Sequence, residues 1–305
     1  MGSLKRFLFI LALTCMWSPS FLFIKLAVQD LPPLTTVSLR VSLAACVFLC
    51  ILKWKAVALP KDLGFWSRIS VMALFSSVVP FCLFCYAEQT IESALAAILN
   101  GATPMFTAVL AQIFVASDRM NFQKILGVML SCLGLFLLFA PTLWEGVDAT
   151  TLGMSAGLIA ALCYAISHVY GKLYVVGYKP FVAPTAQMAV SSLMLWPLAI
   201  YYDQVWTLPA PSASAIGGVC GLALFGTVFA FIIYYYLLER CGPTAISTVA
   251  CFFPVVGMFL GFLFLGETFT STGLISAMII LTGMLLVNEV VSFKGIGIRV
   301  DREQG

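Results

Sequence analysis

Apolar stretches recur ten times along the chain, each close to the roughly 20 helical residues needed to cross a bilayer core of about 30 Å. They cover residues 7–28, 35–52, 66–87, 91–115, 122–140, 152–174, 183–202, 213–238, 243–265 and 271–291. The loops between them are short and carry Pro, Gly, Asp or Lys, as in Leu31-Pro32-Pro33, Asp118-Arg119-Met120-Asn121 and Cys241-Gly242-Pro243. The longest polar insertion is 53–65. A helix satisfies its own backbone inside lipid, so stretches of this length fold as membrane-crossing helices. Composition agrees: 62% of residues are apolar and 10% charged, against roughly 45–50% and about 25% in soluble domains. A soluble enzyme, a disordered chain and a collagen-like rod are excluded. The expected fold is an all-α polytopic membrane protein with ten transmembrane helices.

Basic residues orient the spans. With the N-terminus in the cytoplasm, Lys5, Arg6, Lys53, Lys55, Lys61, Arg68, Arg119, Lys124, Lys172, Lys179, Arg240, Lys294, Arg299 and Arg302 all fall inside. Lys25 and Arg40 fall within spans, and no Lys or Arg is left for an outside loop. Asp30, Glu88, Glu92, Glu145, Asp148, Asp203 and Glu267 fall outside. Both termini are therefore expected in the cytoplasm, with 292–305 as a cytoplasmic tail. The N-terminal apolar run reads as a first span, because it continues to Val28, past the length of a signal peptide core. Arg6 stands where N-myristoylation wants Ser or Thr. Cys82-x-x-Cys85 lies inside an apolar helix without a second pair, so no metal or redox site is expected there. Singly scattered charges give no signal for nucleic acid. The expected partners are the lipid bilayer and a small-molecule substrate, with the chain a monomer or weak dimer.

The chain repeats itself. At an offset of 147, Trp17 falls on Tyr164, Phe21 on His168, Lys25 on Lys172, Pro33 on Pro180 and Arg40 on Gln187. At 150, Tyr86 meets Tyr236 and Pro104 meets Pro254; at 149, Asp118 meets Glu267 and Gly134 meets Gly283. Residues 7–140 and 152–291 thus read as two five-span copies joined by 141–151. An odd number of spans per copy turns the second copy over. Inverted repeats of this kind build secondary transporters, where one half rocks against the other around a site near the midplane.

The repeat resembles the EamA-type unit of the drug/metabolite transporter superfamily over nearly the whole chain. The residues that carry the likeness are Trp17-Ser18-Pro19-Ser20-Phe21 with Lys25, Pro33 and Arg40, then Thr244-Ala245, Pro254, Leu265-Gly266-Glu267 and Gly283. Ser117-Asp118 replaces Gly-Glu in the first copy, which implies a structural role for the acidic position. The resemblance implies two inverted five-helix repeats and movement of a small metabolite without ATP. In agreement, the sequence holds no Gly-x-x-x-x-Gly-Lys-Ser/Thr loop. No enzyme activity and no cofactor are expected, since no Ser/His/Asp constellation assembles around His168, the sole histidine.

The candidate substrate-binding residues are Trp17, Ser18, Arg40, Tyr86, Asn100, Tyr164, His168 and Gln187. Pro19 removes a backbone hydrogen bond next to Trp17, so span 1 should bend there, with Ser18 and Ser20 serving the freed carbonyls. Arg40 lies about 8 Å inside span 2 by helix rise, where a cation must face protein or water. It offers a counter-charge for a carboxylate or phosphate, and the bland alternative is a structural pair with Asp30. Lys25 is the easier snorkeler. Asn100 needs partners for its amide in lipid. His168 either packs as a neutral ring or binds substrate or a proton. Gln187 mirrors Arg40 without its charge, and the ring hydroxyls of Tyr86 and Tyr164 face the same level. Gly257-x-x-x-Gly261 reads as a close-packing stripe. No Asp or Glu falls deep in an expected span, which favours facilitated export or exchange over proton antiport. An inner-membrane exporter or exchanger of amino acids or related zwitterions is the expected function. Exchange of phosphorylated or nucleotide-like metabolites and multidrug efflux are the alternatives.

Overall fold

The computed structural model describes residues 3–115, 120–145, 148–179, 181–241 and 243–288, and over these it is built of helices with no strand. The expected tail 292–305, Asp118 and Pro180 lie outside the described residues. Seven helices are long and apolar enough to cross a membrane: Phe7–Ala27, Pro33–Trp54, Leu63–Thr90, Ser93–Phe114, Phe122–Pro141, Ala149–Tyr174 and Ala213–Cys241. Two shorter apolar helices, Val249–Leu265 and Ser271–Val287, follow. Phe136, Leu193, Phe262 and Phe264 are among the large side chains pointing outward. An outer surface so apolar is one that lipid covers.

In chain order the helices are α1 (Ser3–Trp17), α2 (Ser20–Ala27), α3 (Pro33–Trp54), α4 (Leu63–Ala73), α5 (Val79–Thr90), α6 (Ser93–Asn100), α7 (Thr103–Phe114) and α8 (Phe122–Glu145). Then come α9 (Ala149–Tyr174), α10 (Val182–Leu198), α11 (Ala213–Ala223), α12 (Ala230–Cys241), α13 (Pro243–Ser247), α14 (Phe253–Leu260) and α15 (Ser271–Val287). The first span breaks between α1 and α2 at Ser18-Pro19, as the proline predicts. The Ser18 and Ser20 hydroxyls, however, have no hydrogen-bond partner, so they do not serve the carbonyls there. The fifth span runs through Pro141 to Glu145, which shortens the joint expected at 141–151.

Local chemistry starts many of these helices. Asp62 accepts from the Phe65 amide at 2.8 Å, Ser212 from Ala215 at 3.2 Å and Thr270 from Gly273 at 3.1 Å; each fills an orphan amide at a helix start. Asp148 caps α9 by accepting from the Thr151 amide and hydroxyl at 2.8 and 2.9 Å. Those bonds hold its carboxyl below the usual carboxylate range. The cap is therefore intact at neutral pH and is lost only on acidification through that lowered value.

Other caps cross between distant parts of the chain. Asp203 accepts from the Thr35 amide at 2.6 Å and its hydroxyl at 2.7 Å, closing the start of α3. Glu267 accepts from the Ser93 and Ala94 amides at 2.7 and 3.1 Å and so caps α6. Gly266 before it has φ +65°, the left-handed region that favours glycine. The Leu265-Gly266-Glu267 string is thus a turn that aims a carboxylate at a helix end. Glu267→Ala leaves two buried amides unpaired and is expected to cost about 1–3 kcal/mol. Thermal unfolding in detergent checks this, and Glu267→Gln, which keeps an acceptor, should lose less.

The tightest packing joins α8 to α15. A β-carbon on Gly127 would stand 2.5 Å from the Gly283 carbonyl oxygen and 2.8 Å from the Val287 amide nitrogen. One on Gly134 would meet Ile280 at 2.7 Å. Gly257 rests on Ala97 of α6, and Gly261 faces Ser93 and the Glu267 carboxylate, the close-packing role expected of that pair. α3 packs along α10, where the Ser42 and Ser192 hydroxyls meet at 2.7 Å and the Trp196 indole donates to Ser42 at 2.8 Å.

Candidate binding cavity

Three broken helices frame one cavity. Besides the α1–α2 break, the run from α6 to α7 is interrupted at Gly101-Ala102, and the run from α13 to α14 passes through a 3₁₀ turn at Thr248–Phe252. Two widened π-helical turns, Leu74–Val78 and Leu224–Phe229, interrupt the helices leading into α5 and α12. These turns stand 150 residues apart. Pro80 follows the first, but Ala230 takes its place after the second, so the proline is not what widens them. Such turns offer backbone groups that a regular helix keeps to itself.

The cavity has a volume of about 60 Å³, room for a few ordered waters. Trp17, Phe21, Phe81, Phe84, Tyr164, Phe231, Tyr234 and Phe253 supply aromatic walls, and Ser20, Arg40, Ser76, Asn100, Thr103 and His168 supply polar ones. Among the described residues, no carboxylate lines it.

Arg40 is 3% exposed. Its Nε donates to the Thr227 hydroxyl at 2.9 Å and its Nη2 to the Gly226 carbonyl at 3.1 Å. The guanidinium lies over the Phe81 ring at 3.6 Å, a cation–π contact. Two hydrogen bonds and a ring leave N–H groups free, and among the described residues no acidic side chain compensates the charge. The Asp30 pairing is not made: that carboxylate accepts from the Ser212 amide at 2.8 Å instead.

The contacts come in swapped pairs. Arg40 reaches Thr227, and Gln187, its repeat partner, donates to the Ser77 hydroxyl at 2.6 Å. Ser77 and Thr227 are 150 residues apart. Trp17 meets Phe231 and Tyr234 at 6.3 and 5.7 Å between ring centroids, and Tyr164 meets Phe81 and Phe84 at 6.4 and 6.0 Å. Other contacts recur within each copy: Phe21 sits edge-on to Phe84 at 5.6 Å, and His168 meets Tyr234 at 5.8 Å. Lys25 likewise donates to the Glu88 and Ile91 carbonyls at 2.7 and 2.8 Å, and Lys172 to those of Leu238 and Glu239 at 3.4 and 2.9 Å. When residue a of one copy touches b of the other and their equivalents do the same in reverse, a twofold relation links the copies.

A family model for EamA-like transporters matches residues 4–140 and again 151–289. The chain belongs to the EamA-like transporter family. Relatives of this EamA-like chain extend over nearly its full length. An uncharacterized transporter of Archaeoglobus fulgidus is 26% identical, covering 91% of this chain and 97% of its own. A probable amino-acid metabolite efflux pump of Escherichia coli is 24% identical, covering 90% and 92%. A solved structure titled "Crystal structure of protein" shares the fold with a TM-score of 0.70 at 14% identity, covering 95% of this chain and 99% of its own. The EamA-like chain is thus a multi-pass membrane protein of a transporter family.

Five of the residues singled out from sequence line the cavity: Trp17, Arg40, Asn100, Tyr164 and His168. Three do not. Ser18 is buried at the α1–α2 break, and Ser20, two residues on, takes the wall position. Tyr86 is 42% exposed, because it lies on the face of α5 opposite Phe84. Gln187 is buried behind the cavity, where its amide bonds Ser77 and its carbonyl accepts from the Tyr235 hydroxyl. Lys25 does not snorkel. It holds the free carbonyls at the end of α5, which suits a cation at a helix C-terminus. Glu88, expected beside the outer turn, instead continues α5 near its end and is 0% exposed. Ser76, Phe81, Phe84, Thr103, Phe231 and Tyr234 were missed, although the 150-residue offset pairs Phe81 with Phe231 and Phe84 with Tyr234.

Proposed function

We propose that this protein is a secondary transporter that moves a small zwitterion bearing a carboxylate, an amino acid or close relative, across the inner membrane by alternating access. One observation carries the substrate class: Arg40 is a buried cation on the cavity wall with N–H groups to spare and no acidic partner. A substrate carboxylate supplies the missing charge with strong, charge-assisted bonds. The aromatic walls accept an apolar body, and the ring faces of Trp17 and Tyr164 accept an ammonium. The relative named as an amino-acid metabolite efflux pump fits this reading.

A phosphorylated substrate fits less well, since Lys25 is occupied by carbonyls and Arg40 is the lone cation on the described wall. Loading a metabolite is expected to part these walls. Ten spans in two inverted five-helix halves, with both termini cytoplasmic, supply that motion: the halves pivot and open the cavity to one face at a time.

Counterflow in proteoliposomes tests the reading. Internal unlabelled amino acids should drive accumulation of the same labelled compound, and simple amines without a carboxylate should not compete. If no zwitterion moves in either direction, the reading falls. Cysteine labelling tests the inversion, with Asp148 expected on the opposite membrane face from Lys55.

A further inference from the structure

Glu88 is a buried ionisable side chain that does not line the cavity. Its carboxylate is fully buried, and neither oxygen has a hydrogen-bond partner. The repeat position is Leu238, equally buried, beside a lysine that holds carbonyls just as Lys25 does. In both halves the lysine holds the main-chain carbonyl at this position, but the buried side chain there is a leucine in one half and a carboxyl group in the other. Packing alone therefore does not explain Glu88.

Its position links it to the cavity end. Phe84 and Glu88 are four residues apart on one face of α5, and Phe21 and Lys25 are four apart on one face of α2. The Phe21–Phe84 pair, with Phe253 at 5.8 Å from Phe21, forms part of the cavity wall. Lys25 and Glu88 lie one helical turn beyond those rings, about 6 Å by helix rise.

Other ionisable groups surround this spot. Lys25 comes from α2, Glu267 from the segment before α15, Cys85 from α5 itself and Glu92 from the turn after it. On α3, Arg40 acts on Cys85, and on α9, Tyr164 stacks on Phe84 while Asp148 caps the helix start. Lys25 spends two N–H bonds on carbonyls, and Glu267 is taken up by the Ser93 and Ala94 amides. Glu92, in the turn, is held above the usual carboxylate range by partial burial and by Glu267.

We propose that Glu88 is a proton-binding site that latches this end of the cavity: the neutral carboxyl permits the dry contact among α2, α5 and α6, and the ionised form requires water and parts it. A neutral carboxyl fits an unpartnered, dry position, whereas a carboxylate there is costly and recruits water or Lys25. What the latch does for substrate movement rests on the transport reading above; the proton site does not.

Infrared difference spectroscopy and hydrogen exchange on the full chain in liposomes test the site, with the proton as the probe. The wild type should show a neutral-carboxyl band that disappears on raising the pH from about 5 to about 9. Glu88→Gln should lose that band, and Glu92→Gln should keep it. Over the same range, exchange in 20–28 and 86–95 should rise in the wild type, relative to Glu88→Gln, by about tenfold or more. Glu88→Leu, which copies the second half, should fold and stay protected throughout. A band that survives Glu88→Gln overturns the proposal, and so does exchange that follows the variant at every pH. Failure of Glu88→Leu to fold would give the carboxyl a structural role and overturn it as well. If Glu88 titrates as described and no zwitterion moves in counterflow, the transport reading falls and the proton site stands.

Discussion

Replacing Arg40 with Gln is expected to raise the KM for carboxylate-bearing substrates about 10- to 100-fold, the range of a lost charge-assisted bond of about 1.5–3 kcal/mol. Compounds without a carboxylate should be unaffected. Stability should not follow activity. Gln187 already bonds Ser77 where Arg40 bonds Thr227, so a glutamine at 40 retains a partner across the halves. Removing an unpaired buried charge is neutral or stabilising. Arg40→Lys should recover charge but lose the stacking on Phe81 and the forked geometry, and so recover only part of the affinity. Binding and counterflow, read beside thermal unfolding, separate these outcomes. If Arg40→Gln unfolds the protein while anionic and amine ligands lose affinity alike, the guanidinium is a strut and not a ligand.

Gly127→Val is expected to destabilise by at least about 3 kcal/mol, at the upper end of overpacking costs. The added β-carbon would meet backbone, the Gly283 carbonyl oxygen and the Val287 amide nitrogen, and backbone has no rotamer to yield. α8 and α15 would have to separate, losing the van der Waals packing that joins helices in lipid. Gly217→Val is the control. A β-carbon there meets nothing within 4 Å, so the change should stay within about 0.5 kcal/mol. Folded yield and unfolding temperature of the two variants decide the matter.

Much of this was legible in the residues. Apolar length sets the helices because lipid allows little else, and Pro19 marks the α1–α2 break. The 147–150 offsets find the contacts that recur in swapped form. Other features do not follow from pattern. The α6–α7 break at Gly101-Ala102 depends on what packs against it. Ser18 and Ser20 differ by two residues, and which of them lines the cavity turns on geometry at a bend. Glu88 escaped because the third span was ended at Ala87, one residue short; hydropathy ends a span where a charge appears, even when the helix continues and buries it. Gln187 looked like a site residue because it mirrors Arg40, yet its amide reaches polar partners inside the protein and so sits behind the wall.

The swapped contacts carry an energetic consequence. Two identical copies related by a twofold axis would give two rotation-related arrangements of equal free energy, and neither face of the membrane would be preferred. Here the matching is broken at many places, among them guanidinium against amide at 40 and 187, phenyl against imidazole at 21 and 168, and carboxyl against isobutyl at 88 and 238. If the protein alternates as proposed, differences of this kind set which face it favours at rest, and exchanging these three pairs between the halves should shift that preference.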